Sequence, residues 1–138
     1  KLEQFRKSGK LIESRSYDTI HGVWTYFTAD DGQVDLENWD YLGIGTLESY
    51  CRMKEYYGKD RVLPIYIQVE DGERLQRALI REKKQDNPKY AEMCRRFLAD
   101  QEDFSEEHIR EAGIEIRFEN DDLDNCVRNI IKYINSVT

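Results

Sequence analysis

Arginine and lysine crowd into one stretch of an otherwise acidic chain. From Arg81 to Arg96 there are six bases (Arg81, Lys83, Lys84, Lys89, Arg95, Arg96) and three acids (Glu82, Asp86, Glu92). That is a local +3 in a chain of net charge -7, so the remaining residues carry -10. Arg74, Arg77 and Arg81 extend the basic stretch, because positions i, i+3 and i+7 share one helix face. Guanidinium forks hold phosphate oxygens two at a time. Phosphate binding is therefore the chemistry these residues suit, and a solvated charged surface is the plainer reading. Other chemistries have less behind them. Cys51, Cys94 and Cys126 form no C-x-x-C pair, and His21 and His108 are the only histidines, so there is no zinc-ligand spacing. The three cysteines read as reduced thiols that mostly fill core space, as expected of a cytoplasmic protein. A G-x-x-x-x-G-K-[ST] loop is absent. Gly43-Ile44-Gly45-Thr46 and Gly58-Lys59-Asp60 hold fragments of it at the wrong spacing, so no stretch offers a triphosphate cradle made of backbone N–H groups.

The elements that must position these residues alternate between strand and helix. Lys1 to Ser8 reads as a helix stopped by Gly9. Lys10 to Tyr17 and Val23 to Thr28 read as strands, the second rich in β-branched and aromatic types. Asp30 to Gln33 is a turn. Tyr41 to Gly45 is a short apolar run suited to a strand buried on both faces. A helix capped by Thr46 or Ser49 and closed by Gly58 follows, then a strand from Arg61 to Val69 weakened by Pro64. Gly72 to Glu82 reads as a helix. Asn87 and Pro88 read as the start of another that runs to about Glu102, and Ser105 starts a short one ended by Gly113. Ile114 to Phe118 reads as a strand. In the last helix Leu123, Val127, Ile130, Ile131 and Ile134 form an apolar stripe. This alternation implies an α/β domain with a mainly parallel sheet covered by helices on both faces.

The chain of 138 residues fits one domain. Its acidic balance argues against non-specific nucleic-acid binding. No apolar run approaches the roughly 20 residues that span a bilayer, so no membrane partner is expected.

Three stretches, in this order and spacing, resemble the guanylate kinase family. Phe5-Arg-Lys-Ser-Gly-Lys-Leu-Ile-Glu13 is similar to the family's helix, glycine and Leu-Glu strand. The hairpin from Leu75 to Phe97, with Arg95-Arg96-Phe97 at the place of an Arg-Leu motif, resembles the mobile lid. Phe118-Glu-Asn-Asp-Asp-Leu-Asp124 looks like the strand and Asn-Asp-Asp-Leu entry into the last helix. The resemblance implies a P-loop nucleotide kinase fold with a helical-hairpin lid over residues 72–102, moving a phosphoryl group from ATP to GMP with Mg²⁺. Glu13 would contact the guanine, Tyr26 and Thr28 the GMP phosphate, and Asn120 the ATP base. Arg96 and Arg95, with Arg81, would be the catalytic lid arginines, and no residue is assigned to metal. Such transfer depends mainly on positioning and electrostatic stabilisation.

The chain also departs from the pattern. Phe27 stands where the family has glycine between Tyr and Thr, and would crowd the phosphate approach. Gly43 and Gly45 stand where a buried strand carries two aspartates that organise GMP and metal. The P-loop and the arginine-bearing GMP segment would precede Lys1 as a βα unit of about 30 residues. The 138 residues alone are thus expected to be an incomplete domain, inactive as a kinase. The alternative is a degenerate guanylate-kinase-like domain that binds a protein or phosphopeptide. A third reading is a regulatory binder that keeps the monophosphate site without transferring phosphate. Residue by residue, Tyr26 also fits a core aromatic, Glu13 a solvent-facing strand position, and Asn120 a plain helix cap.

Overall fold

The structure is a computed structural model that describes residues 1–19 and 22–137; Ile20, His21 and Thr138 lie outside the described residues. It is mixed α/β, and the chain divides into two compact units, Lys1–Leu63 and Pro64–Thr138.

The first unit starts with α1 (Leu2–Lys7), which ends as the sequence predicts. Gly9 takes a left-handed backbone (φ 70), and Lys10 N–H closes the turn on Phe5 C=O at 3.0 Å. β1 (Leu11–Thr19) and β2 (Gly22–Ala29) pair antiparallel, from Thr19↔Gly22 back to Glu13↔Thr28. This pair does not belong to the mainly parallel sheet that was expected. A parallel pair needs a crossover of about a dozen residues, and the connection between β1 and β2 leaves room only for a hairpin. The register then shifts: the next pair is Leu11↔Ala29, so Ile12 is an extra residue on β1. The two strand faces serve different neighbours. Phe27 lays its ring 6.0 Å from that of Phe5 on α1, while the Glu13 and Thr28 side chains bond to each other, and Glu13 also to Ser49 on α2 (Leu47–Tyr57). The turn at Asp30 to Gln33 forms through Asp side chains that accept the N–H groups two residues on, Gly32 to Asp30 and Gln33 to Asp31.

The expected strand at Tyr41 to Gly45 is not formed, and Leu42 and Ile44 are fully exposed, at 93% and 102%. Among the described residues no strand lies alongside to pair with it, and two glycines in five residues give it little to pack.

The second unit holds the parallel pair β3 (Tyr66–Gln68) and β4 (Arg117–Glu119), with Ile67 opposite Phe118. Both strands are shorter than the sequence suggests; β3 begins only beyond Pro64, which cannot donate to a ladder. The strands are linked by α3 (Asp71–Lys83), α4 (Tyr90–Asp103) and α5 (Glu106–Glu111), and α6 (Leu123–Val137) follows. The sheets therefore have two strands each, one antiparallel and one parallel; a mainly parallel sheet does not appear among the described residues. Ile109, 1% exposed, is the centre of a small core with Ala112, Ile114, Phe118 and Cys126. Phe118 also meets Tyr133 of α6 at 5.5 Å between ring centroids.

Three local expectations change. α4 is capped at Lys89 rather than Asn87, and the Lys89 N–H donates to the Glu82 carboxylate instead of to a cap side chain. Of the α6 stripe, Leu123, Val127 and Ile131 are exposed, because the two short strands reach only the face that carries Cys126 and Tyr133. Cys94 is exposed and Cys51 half-buried, so only Cys126 fills core.

Candidate functional site

In the first unit β1, β2 and the start of α2 line an open cleft of about 470 Å³. Glu13, Tyr26 and Thr28 all line it, together with Arg15, Thr46 and Ser49. The bulge register places Glu13 directly across from Thr28. Thr28 Oγ1 donates to Glu13 Oε1 at 3.0 Å. Ser49 Oγ lies 2.8 Å from both Glu13 oxygens, so its one proton is shared between them. Ser49 reaches that position because Thr46 caps α2, accepting the Ser49 N–H at 3.3 Å.

The polar groups run in one direction. Arg15 Nη2 donates to Thr46 Oγ1 at 2.8 Å and to Glu48; Thr46 Oγ1 donates to Ser49 Oγ at 3.3 Å; Ser49 donates to Glu13. A guanidinium and a carboxylate are thus joined through two hydroxyls, each passing a hydrogen bond on. Bonds linked in this way polarise and strengthen one another, more so where water is excluded, and Ser49 is only 8% exposed. A carboxylate has about four lone-pair sites. Thr28 and Ser49 occupy two of them, so Glu13 keeps room to accept N–H groups from a ligand.

In the second unit the predicted lid arginines are held locally. Arg95 pairs with Glu92 through two bonds, at 2.8 and 2.7 Å, and Arg96 Nε joins the same carboxylate at 3.0 Å. First Arg95 and then Arg96 hold the Glu92 carboxyl down to about 2. Arg81 is exposed and makes no ion pair among the described residues. The rest of the basic α3 face is committed to packing: Arg74 lies over the Phe97 ring at 4.2 Å, and Arg77 donates to the Asn120 carbonyl at 3.0 Å. Asn120 is held at its N–H as well, by Gln68 C=O at 2.9 Å. It does not cap α6; the Asp122 carboxylate does, accepting from Asn125 N–H at 2.7 Å.

No protein-family model, curated protein or solved structure matches this chain. The site therefore stands on its own geometry. Among the described residues no group of three or more His, Cys, Asp or Glu is gathered to hold a metal ion, and no helix is long and apolar enough to cross a membrane.

Sequence reasoning named Glu13, Tyr26 and Thr28 but missed Arg15, Thr46 and Ser49 as parts of the same cleft. The available signal was modest. Arg15 lies two residues from Glu13 and so on the same strand face. Thr46 and Ser49 are spaced as a cap and the residue whose N–H it accepts.

Proposed function

We propose that this chain is part of a guanylate-kinase-like nucleoside monophosphate kinase, and that its cleft takes the acceptor, GMP or a related nucleotide. One observation carries the reading: the residues to which the resemblance gives acceptor contacts, Glu13, Tyr26 and Thr28, line a single cleft. A purine edge with N–H donors suits a carboxylate that keeps acceptor room, more of it on Oε2 than on Oε1, which takes both Thr28 and Ser49. ATP would supply the transferred phosphoryl group. By the resemblance Asn120 would meet its base; its backbone is held at both N–H and C=O, and its side-chain amide makes no hydrogen bond among the described residues. Arg81, Arg95 and Arg96 would meet phosphate charge; the latter two must first exchange Glu92 for it. No residue is assigned to Mg²⁺. The parallel β3–β4 pair followed by a helix is compatible with the wider parallel sheet of the P-loop fold. The compartment that fits three free thiols is the cytoplasm.

Calorimetric titration of the chain with GMP tests the reading. Hydrogen bonds to a charged group contribute about 1.5–3 kcal/mol, so Glu13→Gln should weaken GMP by roughly tenfold or more. Equal binding by the variant and the unaltered chain, or no binding by either, would remove the proposal. A second reading, a protein- or phosphopeptide-binding domain, is favoured by the exposure of Val23 (65%) and Trp24 (51%) on β2. It predicts peptide binding that excess GMP does not displace.

A further inference from the structure

We infer that Arg15 binds the phosphate of the nucleotide, and that Glu48 holds its place until the nucleotide arrives. The inference rests on the reading of the cleft as a nucleoside monophosphate site and deepens it. A phosphate monoester carries about -1.5 to -2 at neutral pH, and the cleft already contains the Glu13 carboxylate. Among the described residues that line the cleft, Arg15 is the one cation. Its place on β1 suits the phosphate end. Glu13 and Arg15 stand two residues apart on an even stretch of the strand, so they share a face with their backbones about 7 Å apart. Across the hairpin Glu13 meets Thr28, and Arg15 meets Tyr26. One end of the cleft thus offers a carboxylate and the other a guanidinium beside a phenol. A nucleoside monophosphate is polar in the same sense, with N–H groups on the base at one end and an anion at the other.

Arg15 has two partners of different kinds, both reached through Nη2. Thr46 Oγ1, at 2.8 Å, is part of the α2 cap and is held there. Glu48 is the exchangeable partner. Its side chain is 56% exposed against 28% for Arg15, and an ion pair open to water contributes little. A phosphate can take its place on the guanidinium with two oxygens. A displaced Glu48 remains in the first turn of α2, where backbone N–H groups favour a negative side chain. Thr46 meanwhile keeps the guanidinium at the cleft. Glu48 therefore neutralises Arg15 without ligand and competes with the ligand for it.

The test compares GMP with guanosine, which differ in the phosphate alone, by calorimetry. It uses the unaltered chain, Glu48→Gln, Arg15→Gln and the double variant, with thermal melting to show each folded. Arg15→Gln is expected to weaken GMP roughly tenfold or more and guanosine by about twofold or less. Glu48→Gln is expected to do the opposite, tightening GMP about two- to fivefold and leaving guanosine unchanged, because the competitor is gone. In the double variant that gain should disappear, since it acts through Arg15. A gain that persists without Arg15 is the work of overall charge and overturns the inference. So does a GMP-to-guanosine ratio that fails to rise in Glu48→Gln or to fall in folded Arg15→Gln. Glu48 is exposed, so its variant decides the matter even where Arg15→Gln does not fold. Each of these failures leaves the nucleotide-site reading intact. Failure of the unaltered chain to bind GMP overturns that reading, and the inference with it.

Discussion

The first unit gathers polar groups around one carboxylate, whereas the second gathers apolar groups, and the ion pairs of its α3 and α4 run along the surfaces of those helices. Around Glu13 the partners come from distant parts of the chain: Thr28 from the neighbouring strand and Ser49 from α2. The apolar burial beside it is thin, with Ile12 and Leu47 its buried side chains. In the second unit Ile109, Ala112, Ile114, Phe118 and Cys126 form the core, and Glu92 takes Arg95 and Arg96 from one and the same helix. Long-range polar contacts define a shape for a ligand. Local ion pairs at the surface define little, because water and salt screen them. The difference teaches where selectivity and where stability should reside.

The sharpest way to break this contrast is to truncate both cores. Ile109→Ala removes the one fully buried large side chain among the described residues and is expected to cost about 2–5 kcal/mol in urea unfolding. Ile12→Ala should fall at or below the low end of that range, since Ile12 keeps 9% of its surface exposed. Equal costs would mean that the first unit is as strongly packed as the second. Thr46→Ala sharpens the contrast from the polar side. It removes the α2 cap and one partner of Arg15, for an expected loss of about 1 kcal/mol. Melting the variant with and without GMP should show the larger change with ligand present. The smallest effect belongs to the Glu92 cluster. Its carboxyl is held at about 2, well below the ordinary value of 4.5. The stability it contributes is therefore complete above about pH 4.5 and lost as pH falls through about 2. An NMR titration should find Glu92 ionising near 2, and Arg95→Leu should move it back toward the ordinary carboxylate range. An unmoved titration would show that Arg95 is not its main partner.

What could be read from the sequence was what short-range chemistry decides. Ser105 and Thr46 cap the helices they were expected to cap, Gly9 ends α1, and the α6 pattern gives a helix. Tyr41 to Gly45 failed because an apolar run says that burial would be favourable, not that a neighbour exists to provide it. The mainly parallel sheet did not appear for a related reason: alternation of strand and helix along the whole chain does not describe β1 and β2, which follow one another with no helix between them. In the cleft, Glu13 and Thr28 were named, but Ser49 lies 36 positions from Glu13, and nothing local to either residue announces the other. Phe27 was read as crowding the phosphate approach; it lines the cleft beside Tyr26 and Thr28, and its ring also lies 6.0 Å from that of Phe5.

The extra residue on β1 also bears on how this cleft could survive a change of chain length through inheritance. In an even strand, Leu11 and Glu13 would share a face. The shift at Ile12 lets Leu11 pair with Ala29 while Glu13 pairs with Thr28, on opposite faces of the hairpin. Loss of the single codon for Ile12 would leave every cleft residue encoded. It would also set Leu11 directly before Glu13, so the two would still alternate in face and could pair with Ala29 and Thr28 as they do now. A three-base deletion here would therefore even out the strand without reassigning its carboxylate, and its cost would fall on packing, through the loss of the buried Ile12 side chain.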